Sequence, residues 1–167
     1  MSGLPASSNR EEFVRALADI YEHSPWVAAT TWDRYHDTPL NSVEALHGRM
    51  SEVLLGADHA AQLALINAHP DLAGKAAVQG QLTAASTGEQ AGAGIHQCTP
   101  EEFQRFTELN AAYKAKFGFP FIMAVKGSNR HQILAAFETR IHHEAATEFA
   151  CALAEINKIA LFRLQAL

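Results

Sequence analysis

Cysteine is scarce: Cys98 and Cys151 are the only two in 167 residues. Neither has a second cysteine or a metal-ligand partner nearby in sequence. Both read as reduced thiols in helical stretches, which argues against a disulfide framework or a cysteine-bound metal. No apolar run approaches the roughly 20 residues a membrane-spanning helix needs. Positive charge is thin and scattered, with 13 Lys and Arg against 18 Asp and Glu for a net charge of -5. Without a basic patch, nucleic acid is not an expected partner. The nine histidines form neither His-Glu-x-x-His nor His-x-x-x-His, and the neighbours His142 and His143 are expected to point to different sides of a helix. No Gly-x-Ser-x-Gly, phosphate loop or dinucleotide fingerprint occurs either. Repeats, low-complexity tracts and linkers are missing as well.

What remains is an ordinary globular composition, 48% hydrophobic and 19% charged, whose patterning is helical nearly throughout. Asn9 with Glu12 spells a capping box ahead of Phe13, Val14, Leu17, Ile20 and Tyr21. Ser24-Pro25 starts a second helix, with Pro25 at its first position. Asn41 with Glu44 opens a third, carrying Leu46, Met50, Val53 and Leu54 and closed by Gly56. Asp58 caps a fourth, which should stop before His69 because the residue preceding Pro70 is pushed out of the helical region. Thr99-Pro100-Glu101-Glu102 is the clearest start signal, with Phe103, Phe106, Leu109, Asn110 and Tyr113 on one face as far as Gly118. From Ser128 onward the pattern predicts two helices broken near residues 142–147. The expected fold class is all-α, a compact helical bundle forming a single domain over residues 1–167.

Two stretches depart from the helical pattern. Residues 86–94 are rich in Gly and Ala, and each Gly weakens a helix by about 1 kcal/mol. Residues 119–125 are apolar with an internal Pro and have no second strand to pair with. They are expected to run extended between helices, with N–H and C=O groups that need partners, a bound polar ligand among the candidates.

Three constellations bear on chemistry, each with a structural alternative. His69 lies at a helix end on backbone stiffened by Pro70, a placement suited to proton transfer or simply to satisfying the helix terminus. Asp71 is in place to cap a following helix. Ser86, Thr87, Gly88, Glu89 and Gln90 spell either a capping box or a carboxylate and a carboxamide presented beside backbone N–H groups. Arg163 falls on the stripe of Phe149, Leu153, Ile156 and Ala160, since each helical residue advances by about 100°. A guanidinium there must be paired internally or meet a ligand anion.

Taken together, His69-Pro70-Asp71-Leu72-Ala73-Gly74-Lys75, Ser86-Thr87-Gly88-Glu89-Gln90 and the run from Tyr113 through Gly118-Phe119-Pro120-Phe121-Ile122 keep a fixed order. Ser24-Pro25-Trp26-Val27 precedes them, and Asn157-Lys158-Ile159 with Arg163-Leu164 follows. In these motifs the chain resembles the OHCU decarboxylase family, which acts on 2-oxo-4-hydroxy-4-carboxy-5-ureidoimidazoline, over essentially its whole length. The resemblance implies loss of CO2 to give (S)-allantoin, the last step from urate to allantoin in purine catabolism. It implies a homodimer, a small-molecule substrate and no cofactor. It implies His69 as proton donor, and Pro70, Ser86, Thr87, Gly88, Glu89, Gln90, Phe121, Ile122, Met123, Ala124, Val125 and Arg163 as substrate-binding residues. Ala160-Leu161-Phe162 is less polar than that pattern expects just before Arg163.

The chemistry fits those residue types. Breaking the C–CO2 bond leaves two electrons, which the substrate's own ring C=N accepts, so neither metal nor organic cofactor is called for. Glu89 is suited to keep the imidazole of His69 charged or oriented. Residues 1–8 carry neither a charged n-region nor an apolar h-region. The final Leu164-Gln165-Ala166-Leu167 is no peroxisomal tripeptide, so a cytoplasmic location is expected. Two rivals differ in class. A metal-dependent amidohydrolase of the same pathway would need a His/Asp ligand set that does not assemble from the sequence. A non-catalytic helical interaction module would send His69 and Glu89 to different places.

Overall fold

A computed structural model describes residues 9–72, 89, 94 and 98–167. Among them are seven helices and no strand: α1 (Arg10–Leu17), α2 (Trp26–Tyr35), α3 (Val43–Leu55), α4 (His59–Ala68), α5 (Pro100–Phe117), α6 (Arg130–Arg140) and α7 (Ala145–Gln165). The all-α expectation holds.

Helix starts follow the side chains able to satisfy the first N–H groups. Asn9 Oδ1 accepts from the Glu12 N–H at 2.9 Å, and Asp58 Oδ1 accepts from the Ala61 N–H at 2.7 Å. At α5 the box is complete: Glu102 N–H donates to Thr99 Oγ1 at 3.1 Å and Thr99 N–H to Glu102 Oε1 at 2.9 Å, with Pro100 leading the helix. Two starts differ from expectation. The cap of α3 is Ser42, not Asn41; its Oγ accepts from the Ala45 N–H at 3.1 Å from an extended backbone. Pro25 precedes α2 instead of opening it, although its ring already holds helical dihedrals.

Helix ends obey the same local rules. α4 stops at Ala68, one residue short of the position that Pro70 restricts. Gly118 closes α5 at φ +80, the left-handed region that a side chain would disfavour, and its N–H donates to Lys114 O at 2.8 Å. The C-terminal break falls at residues 141–144, slightly earlier than expected. His142 and His143 therefore lie in a connection and not on a helix, and Cys98 precedes α5 while Cys151 lies on α7.

The chain divides into two compact units, one of residues up to Ala68 with Ile156–Leu167, the other His69–Glu155. The first buries Phe13 and Leu17 of α1 with Ile20 and Tyr21 just beyond it. The same core takes in Val27 and Ala28 of α2, Val43, Leu46, Met50, Val53 and Leu54 of α3, Leu65 and Ile66 of α4, and Ile156, Ile159, Ala160 and Leu164 of α7. The second is built around aromatic rings. Tyr113 of α5 lies 5.4 Å from Phe121 and 6.1 Å from Phe137, edge to face, and Phe121 stacks on Phe137 at 3.8 Å. Edge-to-face contacts of this kind contribute about 0.5–1.5 kcal/mol beyond burial.

Candidate active site

The second unit opens on the histidine motif. His69 follows α4 directly and is half-buried, as are Pro70 and Asp71, while Leu72 is buried. One turn of α5 holds this segment. Asn110 Nδ2 donates to Leu72 O at 2.9 Å from a buried position, and Lys114 Nζ meets Asp71 Oδ2 at 2.7 Å. The Lys114 pair is solvated, so its net stabilisation is about 0–1 kcal/mol; its effect is to set the direction of the chain after Pro70. The helix that Asp71 was expected to cap lies outside the described residues.

The second segment is residues 119–125. Phe119, Phe121, Ile122 and Val125 are buried, and Met123 and Ala124 are half-buried. Phe119 lies in a bend, and residues 120–125 contain no helix, turn or bend, as an extended run requires. Some of the backbone groups find protein partners. Arg140 Nη1 donates to Ile122 O at 2.6 Å, and the Ala124 N–H donates to Glu155 Oε1 at 3.1 Å. The Ala124 N–H, expected among the ligand donors, is thus already engaged. The N–H groups of Ile122, Met123 and Val125 donate to no acceptor among the described residues.

Arg140 is itself tightly fixed. Its Nε bonds Glu148 Oε1 at 2.9 Å, and its guanidinium carbon sits 4.3 Å above the Phe121 ring. Glu148 is fully buried and also accepts from Tyr113 Oη at 2.6 Å, with His143 Nδ1 2.9 Å from its other oxygen. Burial pushes the Tyr113 phenol well above its usual range, and the adjacent carboxylate pushes the same way. Among the described residues, Asn110 Oδ1 and Arg140 Nη2 are buried without a hydrogen-bond partner. Both belong to side chains that grip a main-chain carbonyl, at Leu72 and Ile122. The fold accepts an unsatisfied group, a cost of about 1–3 kcal/mol each, to fix backbone at these two places.

Helix α5 therefore connects the two segments that the sequence singled out. Asn110 and Lys114 hold the chain that follows His69, and Tyr113, between them, packs on Phe119 and Phe121 and bonds the carboxylate that holds Arg140. Glu89 is half-buried in the same unit. Ser86, Thr87, Gly88 and Gln90 lie outside the described residues. Arg163 belongs to the first unit, where Nη2 meets Glu22 Oε2 at 2.8 Å and Nη1 donates to Asp19 O at 3.1 Å. That is the internal pairing the sequence offered as one alternative. Asn157 also works within the first unit: its Oδ1 accepts from Tyr21 Oη at 2.7 Å, and its carbonyl lies 2.7 Å from His47 Nε2.

The sequence reading missed Arg140, Glu148 and Glu155. One signal for Glu148 was available: it heads the row 148, 152, 156, 160, 164, every member of which is buried. Like Arg163, Glu148 is a charge on an apolar face, and it is fully buried there.

Among the described residues, no group of three or more His, Cys, Asp or Glu is placed to hold a metal ion. No helix among them is long and apolar enough to cross a membrane. Helices throughout the described residues, a histidine beside Pro70 and a main-chain segment gripped by side chains are features compatible with a small acid–base enzyme. Residues 6–165 match the profile of the OHCU decarboxylase family, and the chain belongs to that family. A relative from Halalkalicoccus jeotgali, named 2-oxo-4-hydroxy-4-carboxy-5-ureidoimidazoline decarboxylase, is 42% identical over 160 residues, 96% of this chain and 87% of that protein. A uric acid degradation bifunctional protein from Bacillus sp. (strain TB-90) is 38% identical over 154 residues, 92% of this chain but 29% of its own length. The crystal structure of (S)-allantoin synthase superposes with a TM-score of 0.76 at 31% identity, over 95% of this chain and 50% of that one.

Proposed function

We propose that this chain decarboxylates 2-oxo-4-hydroxy-4-carboxy-5-ureidoimidazoline to (S)-allantoin, closing the conversion of urate to allantoin. Family membership over residues 6–165 carries the reaction type. The common anchoring on α5 of the His69 segment and residues 119–125 supports the residue roles. The C–CO2 bond breaks, its electron pair forms a ring C=C with the former imine carbon, and the C=N pair moves onto the ring nitrogen. The hydroxyl proton passes to that nitrogen as the carbonyl forms, and His69 supplies one proton to the former imine carbon from one face. Glu89 holds the imidazole in its charged or correctly oriented form. Backbone N–H groups within residues 121–125 bind substrate oxygens, with Pro70 and Ser86, Thr87, Gly88 and Gln90 completing the contacts.

Arg163 enters this proposal as a ligand for substrate oxygens. The bonds to Glu22 Oε2 and Asp19 O pre-set the plane of its guanidinium. The proposal further takes residues 1–167 as one domain acting without a cofactor, as a cytoplasmic homodimer. Incubation with freshly generated substrate, followed by optical rotation, tests the whole reading. A single enantiomer, (S), is the expected product. A racemic product formed at an enzyme-dependent rate removes His69 as a facial donor.

A further inference from the structure

We propose that Arg140 and Glu155 are positioning residues, two jaws that clamp one edge of residues 122–124 and thereby aim the opposite edge at the substrate. The inference rests on the reading that residues 121–125 bind substrate. Arg140 Nη1 holds Ile122 O at 2.6 Å, and Glu155 Oε1 holds the Ala124 N–H at 3.1 Å. In an extended chain the N–H and C=O of one residue point to the same edge, and those of the next residue to the other. Ile122 C=O and Ala124 N–H therefore share an edge, and the jaws occupy it from α6 and α7. The N–H and C=O of Met123 face the other way, and neither bonds to a described residue. A donor and an acceptor side by side match the C=O and N–H of an amide or ureido group.

The jaws suit this task because one of them is rigid. Arg140 cannot swing, being bonded to Glu148 at 2.9 Å and laid over Phe121 at 4.3 Å. Glu148 in turn is fully buried and carries Tyr113 and His143. Glu155 is half-buried, at a helical position where truncation leaves the neighbouring core row untouched. A displacement of about 1 Å in a substrate-aligning group suffices for a hundredfold loss.

The test uses Glu155→Ala, Glu155→Gln and Arg140→Lys, with steady-state kinetics and with (S)-allantoin, the stable product, as a binding probe. Glu155→Ala is expected to raise KM and the Kd for (S)-allantoin about ten- to a hundredfold, with a smaller change in kcat. Exchange of the Ala124 amide proton should accelerate in the same variant. Glu155→Gln keeps an acceptor oxygen and should recover most of the affinity. If Arg140→Lys folds, it should resemble Glu155→Ala; if it does not, the Glu155 pair decides. Binding and KM of Glu155→Ala within about twofold of the parent enzyme overturn the clamp. The underlying reading has its own check: saturating (S)-allantoin should slow exchange of the Met123 amide in the parent enzyme. An unaffected Met123 amide removes residues 121–125 from the site and the clamp with them. An affected one beside unaffected variants removes the clamp alone.

Discussion

The two units each contain a buried arginine–glutamate pair, built alike. In the first, Arg163 meets Glu22 at 2.8 Å, with side chains 8% and 2% exposed; in the second, Arg140 meets Glu148 at 2.9 Å, with side chains 11% and 0% exposed. Each arginine also donates to a main-chain carbonyl, Asp19 O in one unit and Ile122 O in the other. The desolvation of two buried charges nearly offsets their attraction, so neither pair is a large net source of stability. What each does is fix a stretch of backbone. The stretches differ. Residues 18–22 follow α1 and carry Ile20 and Tyr21 into the core of the first unit, whereas Ile122 lies in the run proposed to bind substrate. The same device holds packing in one place and, on the proposed reading, a ligand-facing edge in the other, and burial alone does not tell the two uses apart.

The sharpest way to break that comparison is to remove the chemistry and leave both pairs alone. His69→Asn should lower kcat by about 10²–10⁴-fold, the usual loss for a positioned acid–base group, with an unchanged circular dichroism spectrum. Glu89→Gln should cost less and should shift the pH profile of kcat. Near-normal turnover in His69→Asn places the proton donor elsewhere.

Breaking the pairs themselves should give the next largest effects. Arg140→Met and Arg163→Met each take the arginine away from a buried carboxylate, at a cost of up to about 3–5 kcal/mol, so both should lower Tm. Conservative replacement separates their uses. Arg163→Lys retains the charge without the planar fork, and if Arg163 grips substrate, kcat/KM should fall roughly ten- to a hundredfold, the value of one charge-assisted hydrogen bond. A lower Tm with unchanged kcat/KM would leave Arg163 with a structural role, in its pairing with Glu22, and make the two pairs still less alike.

How much of this was legible in the sequence depended on the range of the interactions involved. Helix starts at Asn9, Asp58 and Thr99 were readable because a cap is satisfied within three residues, and α4 ended where Pro70 required. Asn41 and Ser42 are both good caps one residue apart, so local chemistry did not decide between them; the cap is Ser42. That residues 120–125 are not helical was readable from Pro120 and the missing partner strand. The partners of those residues were not, because Arg140 and Glu155 lie 18 and 31 positions away. Only the fold brings them to Ile122 and Ala124. Arg163 stood out as a charge on an apolar stripe, yet whether Glu22 or a ligand answers it is a long-range question that the pattern leaves open.

The smallest expected effect sharpens the comparison at its tyrosines. Tyr21 in the first unit donates to the neutral Asn157 side chain at 2.7 Å; Tyr113 in the second donates to the Glu148 carboxylate at 2.6 Å. Burial raises both phenol pKa values above the usual range, and for Tyr113 the carboxylate adds to the rise, whereas a hydrogen bond with Ser51 slightly opposes it for Tyr21. A phenol whose pKa is raised on folding keeps its proton in the native state at a pH where the unfolded chain has lost it. Above the unfolded value of about 10, the native state thus binds more protons, and stability falls as pH rises. Each such tyrosine contributes a slope of about 1.4 kcal/mol per pH unit, fully absent below pH 9. Tyr113→Phe and Tyr21→Phe should each remove one such slope from the alkaline limb of a Tm-against-pH curve. At neutral pH they should differ. Loss of a bond to a carboxylate costs about 1.5–3 kcal/mol, and loss of one to an amide about 0.5–1.5 kcal/mol. Equal neutral-pH losses would show that the charge on Glu148, which Arg140 and His143 also meet, adds nothing to the Tyr113 hydrogen bond.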